Sequence, residues 1–243
     1  MKNNLILSML CLTLFCATSV SAQEPPGVVR TWLCSVAPGH SMDEVVAIAR
    51  DVDWDGDSAP ASMFFREAVA VSGDFQRNWD FVWADFYADW GAYVQSRSAA
   101  RGRPSGRTAS LGLFDMISCD ERRNVSNVFE ANQGDIFSDT ETTPMGGQFC
   151  DLNGATIDDA VARATQIGQT LGAYSAVDSR VFGGQGGYEA GSRIYTRYVF
   201  ANGDSFAESL DSLREAGGAA TPSGSISCNT GALWLSHRIY QQN

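Results

Sequence analysis

The second half of this 243-residue chain repeats the landmarks of the first, in the same order. Cys34 and Cys150 each end an apolar stretch, and Ser41-Met42-Asp43-Glu44 and Thr156-Ile157-Asp158-Asp159 then open a helical pattern. Phe81 to Asp89 aligns without gaps on Ile194 to Asn202, and Ile117-Ser118-Cys119 and Ile226-Ser227-Cys228 close the two copies. Such a repeat restricts the architecture to two like units, residues 28–129 and 145–243, joined by a polar, acidic linker at 130–144. Each unit is too small to bury both faces of a sheet alone, so the two are expected to cover each other.

The N-terminus has one cation, Lys2, then an apolar run from Leu5 to Ala17, then Ser19-Val20-Ser21-Ala22. The small residues at the last and third-last of these positions suit a signal peptidase, so residues 1–22 are expected to be a secretory signal. The run is shorter than the ~20 residues that span a bilayer, and no later segment is long and apolar enough. Loss of residues 1–22 removes Lys2 and no acid, taking the net charge from −11 to −12 and leaving arginine as the only strong cation. Such a balance excludes nucleic acid and anionic membrane surfaces as partners. The expected location is periplasmic or extracellular, and the expected state a monomer whose halves form a pseudo-dimer.

Four cysteines remain after the signal, Cys34, Cys119, Cys150 and Cys228, and an exported chain oxidises them. One falls at the start and one at the end of each copy. Bridges Cys34 to Cys119 and Cys150 to Cys228 therefore make the same bond twice.

Each copy reads as strand, helix, strand, strand, helix, strand. In the first copy these are Val29 to Ala37, a helix capped by Ser41 and Glu44, Met63 to Ser72, Trp79 to Asp89, Gly91 to Ala100 and Leu111 to Cys119. In the second they are Gly147 to Leu152, Ile157 to Leu171, Tyr174 to Phe182, Arg193 to Ala201, Ser205 to Ala216 and Ser225 to Leu235. The Gly183-Gly184-Gln185-Gly186-Gly187 run lies between two strands and so is not a phosphate loop. This is the ferredoxin-like βαββαβ pattern, an α+β fold. Its duplication resembles the dimeric α/β-barrel superfamily, with two copies fused in tandem. The resemblance implies a barrel with a ligand or reaction cavity enclosed between its sheets; the superfamily includes cofactor-free oxygenases, haem enzymes and stress-related proteins.

Alternation along the strand at Trp79 to Asp89 puts Asp80, Val82, Ala84 and Phe86 on one face and Phe81, Trp83, Asp85 and Tyr87 on the other. The small middle of the first set is expected to accept helices. The second set, with Ile194, Thr196 and Tyr198 of the other copy, is expected to look into the barrel. Phe81, Trp83, Asp85, Tyr87 and Tyr198 are then the candidate lining of a small apolar site, or a packed core between sheets. An acid buried among aromatics has a raised pKa, which makes Asp85 the candidate general base, with Arg66, Glu67 and Asp115 as further polar groups.

Neither histidine, His40 or His237, has a second ligand at metal-binding spacing, and no cofactor is expected on this ground. The sharper motif is Asp51-Val52-Asp53-Trp54-Asp55-Gly56-Asp57, whose alternating acids and glycine suit Ca²⁺. Ser62 stands where the EF-hand loop has a bidentate Glu, and the second copy has no matching acids, so a solvated acidic connector is the other reading. The functional expectation is an exported, non-catalytic binding or interaction protein holding a small apolar ligand. The alternative is a cofactor-free oxygenase-type enzyme acting in the barrel cavity.

Overall fold

β-branched and aromatic residues make Gly27–Val36 the first strand, β1. The chain turns at Gly39, whose φ of +92° favours a residue without a Cβ. Ser41 then starts α1 (Met42–Arg50): its hydroxyl accepts the Glu44 N–H, and the Glu44 carboxylate accepts the Ser41 N–H, the capping box read from the sequence. Thr156 and Asp159 form the same box at α4 (Ile157–Leu171). The remaining elements are β2 (Ser62–Ala70), β3 (Phe81–Tyr87), α2 (Trp90–Gly102), α3 (Leu111–Met116), β4 (Ile117–Cys119), β5 (Asn124–Asn132), β6 (Thr142–Asp151), β7 (Tyr174–Phe182), β8 (Arg193–Val199), α5 (Gly203–Glu215), β9 (Ser227–Cys228) and β10 (Ala232–Gln241). This computed structural model describes residues 27–54, 56, 59–71, 79–102, 111–121, 123–133, 141–183, 192–215, 224–229 and 231–242. The proposed signal at 1–22 and most of the glycine run lie outside them. Among the described residues no helix is long and apolar enough to cross a membrane.

The strands run β2-β3-β1-β5-β7-β8-β6-β10, and β10 pairs back onto β2, closing an eight-stranded antiparallel barrel of α+β type. The two halves are joined twice, at β5 with β7 and at β10 with β2. Closure leaves no long strand with unpaired backbone groups. Short β4 and β9 lie beside β1 and β6, where Cys34 faces Cys119 and Cys150 faces Cys228. Both pairs are disulfide-bonded, as the repeat implies.

The structure corrects the sequence reading in two places, the last strand of each half and the face that looks inward; in the second half, Ser225 to Leu235 is β9 followed by the start of β10, which runs on to Gln241. Leu111 to Cys119 is not a strand: it is α3 followed by three residues of β4, and the fourth long strand of the first half is β5. Its buried valines, Val125 and Val128, face opposite sides across a register shift, so no alternation marks it as a strand. It therefore read as connector, although strand extends to Asn132 and resumes at Thr142, inside the stretch expected to be linker.

The second correction is which face looks inward. Val29, Ala84, Val128, Tyr174 and Ala176 cluster inside the barrel. Trp32, Phe65, Phe81 and Trp83 pack outward, under Val45, Val46 and Ala49 of α1 and Leu113 of α3. Large and small were thus assigned to the wrong sides. An eight-stranded lumen is barely wide enough for side chains, so small residues belong there, while a helix standing on the sheet leaves a deeper space that indoles fill.

Removing either disulfide is expected to cost about 2 to 5 kcal/mol, because each closes a long loop in the unfolded chain. Urea titration of Cys150→Ser/Cys228→Ser against the parent protein checks this.

Candidate functional site

Strand register builds the site on the outer face of the first half. Pairing of β1 with β3 sets Arg30 opposite Asp85 and Trp32 opposite Trp83. Arg30 Nη2 donates to Asp85 Oδ2 in a buried ion pair. Trp83 Nε1 donates to Asp85 Oδ1 at 2.6 Å, and Tyr87 Oη donates to Oδ2 at 3.4 Å. The acid read from the sequence as a general base is 1% exposed and already accepts from three donors. It is a positioning group, holding a guanidinium and an indole in place.

Trp32 stacks on Trp83 with ring centroids 4.9 Å apart, and Trp54 and Phe65 meet Trp83 at 5.8 and 4.8 Å. The Arg30 guanidinium carbon lies 4.5 Å from the Trp32 ring centre, and that of exposed Arg123 lies 5.2 Å from it. Arg97, on α2, completes the group: burial, then the nearby charges of Arg30 and Arg123, hold its pKa below the usual arginine value. Burial opposes the charge on Arg30, but Asp85 beside it holds its pKa above the usual value. Burial and then Asp85 push the Tyr87 phenol up to about 12. Arg30 and Arg123 thus both approach the Trp32 indole, with the Asp85 carboxylate on Arg30, in a chain with a net charge of −11. Arg30 Nε and Nη1 are buried and meet no acceptor among the described residues.

Of the residues singled out in the sequence, Trp83, Asp85 and Tyr87 come together here, with Phe81 beside them against Phe65. Tyr198 does not: it packs with Ile167, Leu171 and Phe206 under the helices of the other half. Arg66 points into the barrel, Glu67 points outward to His237, and Asp115 is exposed on α3. Arg30, Trp32, Arg97 and Arg123 were missed. Alternation along β1 already puts Arg30, Trp32 and Cys34 on one face, but only the register shows what stands opposite.

The calcium reading gains no support. Asp51 caps the end of α1 through its backbone N–H, Trp54 Nε1 ties the loop back to Ala49 at 2.7 Å, and Asp55 and Asp57 lie outside the described residues. Among the described residues no three His, Cys, Asp or Glu are grouped as metal ligands.

No protein-family model and no curated protein matches the chain. Solved structures that share its fold include a provisionally assigned monooxygenase of Fusobacterium nucleatum, at 9% identity over 88% of this chain and 93% of that one, with a TM-score of 0.48. Another provisionally assigned monooxygenase, from Lactobacillus acidophilus, is 10% identical over 89% and 95% with a TM-score of 0.46. An encapsulated DyP-type peroxidase of Mycobacterium smegmatis is 11% identical over 91% and 95% with a TM-score of 0.41. The structural neighbours are dimeric α/β-barrel proteins, and the likeness concerns the fold alone.

Two expectations are corrected by these findings. A non-catalytic binding protein does not stand against neighbours described as monooxygenases and peroxidases. The expectation of no cofactor is likewise set aside: the neighbours include one described as a chlorite dismutase and a DypB variant in complex with manganese. The residues of this chain, however, do not fit a histidine-ligated haem. His237 has both ring nitrogens engaged, Nδ1 with Thr142 Oγ1 at 3.0 Å and Nε2 with Glu67 at 3.1 Å. His40 is half exposed at the start of α1, 3.8 Å from Glu44.

Two substitutions test this packing by urea titration. Asp85→Ala leaves Arg30 buried without its partner and is expected to cost about 3 to 5 kcal/mol. Trp83→Ala, at a ring 3% exposed, is expected to cost a similar amount, about 3 to 5 kcal/mol, through the cavity it leaves.

Proposed function

We propose that the protein is an exported oxygenase-type enzyme acting on a phenolic or similarly anionic aromatic compound at the Arg30–Trp32–Trp83 cluster. The observation that carries this reading is the approach of Arg30 and Arg123 to Trp32, which stacks on Trp83, with donors on buried Arg30 left unmet among the described residues. Trp32 and Trp83 are buried, so an aromatic ring would enter at the edge of the cluster marked by exposed Arg123, displacing packing against Trp32, and the guanidiniums favour its charged form. A phenolate held this way is more electron-rich than the phenol, which suits reaction with dioxygen. The overall change would be phenol and dioxygen to quinone and water: one oxygen atom enters the ring, the other leaves as water with the two hydrogens, and the substrate supplies all four electrons. Arg30 would hold the phenolate oxygen, Asp85 would fix Arg30, and the α1 and α3 side chains over the indoles would limit water. The two disulfides support export, and the two halves read as a tandem duplication acting as a monomeric pseudo-dimer.

Oxygen consumption with a panel of phenols and hydroxybenzoates tests the proposal. Uptake matched mole for mole by quinone absorbance is expected, with Arg30→Gln lowering kcat about 100-fold, as loss of a charged hydrogen-bond donor does in other enzymes. Absence of uptake across the panel, or an Arg30→Gln rate equal to the parent's, would sink it.

A further inference from the structure

The barrel lumen has a charged layer of its own, on the opposite face of the sheet from Arg30. Arg66 on β2 and Arg197 on β8 approach the same ring, Phe86 of β3, with guanidinium carbons 5.4 and 4.8 Å from its centre. They are 5% and 3% exposed, and they come from opposite walls of the barrel. The acid in this layer is Asp178 on β7, 3.2 Å from Arg197 Nη2. That pair is near enough for an ion pair but not aligned as a hydrogen bond. Nε of both Arg66 and Arg197 is buried and meets no acceptor among the described residues. Further charges on this face of the described sheet include Arg180, the next lumen-facing residue of β7 after Asp178, Arg193 with Asp151, and Glu130 with the Tyr174 hydroxyl.

A buried guanidinium without a counter-charge is costly, and this layer has two of them for one acid. Burial, and next Arg197, lowers the Arg66 pKa to about 10, which leaves it charged at neutral pH. Burial also raises the pKa of Asp178, against the pull of Arg197 and Arg66. Tyr195, half-buried, projects its hydroxyl to where a Cβ on Gly147 would be only 1.7 Å away, so glycine there is what admits the ring.

We propose that the lumen is a binding site for one compact anion, of halide or formate size, held between Arg66 and Arg197. The site is separate from the outer cluster, and the anion completes the charge balance of the barrel core.

Thermal melts at constant ionic strength, exchanging gluconate for chloride or formate, test this. Gluconate is several times bulkier than a halide or formate and is expected not to enter between the two arginines, so Tm is expected to rise saturably with the small anions by about 4 °C. Arg66→Met is expected to abolish the rise and Arg30→Met to keep it. An equal response to gluconate, a rise that persists in Arg66→Met, or one that vanishes only in Arg30→Met would overturn the proposal. Independently of any variant, crystals of the parent protein grown in bromide are expected to show an anomalous peak about 3.5 Å from both guanidiniums. No peak there would refute the site.

Discussion

Everything in this structure depends on the pairing of β10 with β2, which turns a curled sheet into a closed barrel. Closure gives each of the eight long strands two neighbours and divides the side chains into two environments with different room. Inside, converging strands admit Ala84, Ala176 and Gly147 beside a few large rings. Outside, helices rest on the sheet, and stacked indoles fill the space between. Which residues can form a site follows from this division.

Closure also explains how an acidic chain keeps buried cations. Arg30 lies outside the sheet against Asp85 and the indoles, and Arg66 and Arg197 lie inside it against Phe86 and Asp178. In each layer guanidiniums outnumber the carboxylates that meet them. Aromatic faces supply part of the missing negative potential, and the rest is what a bound anion would bring. The outer layer has an exposed cation, Arg123, at its edge; the inner one is closed by strands. The outer layer therefore suits a substrate that comes and goes, and the inner one an ion that stays.

Much of this fold was legible in the sequence. The Ser41 capping box, the β7 strand, the α4 helix and both disulfides follow from local signals: a Ser with an acid three residues on, alternation, and cysteines in matched places. β5 was lost because both its faces are partly buried, which erases the period of two. The inward face of β3 was inverted because alternation says that Val82, Ala84 and Phe86 share a side, but not which side. Size decides that, and only through the width of a closed barrel. Trp83, Asp85 and Tyr87 were found as a set for the same reason, while Arg30, Trp32, Arg97 and Arg123 depended on register and on helix packing.

The central claim is that arginines over an indole pair select an aromatic anion. Trp32 and Trp83 report on it directly through their fluorescence. Titration with benzoate and with neutral benzamide separates charge from shape, since the two rings are the same size. The account predicts saturable quenching by benzoate that weakens with added salt, and little response to benzamide. Equal quenching by both, or none by either, would contradict it.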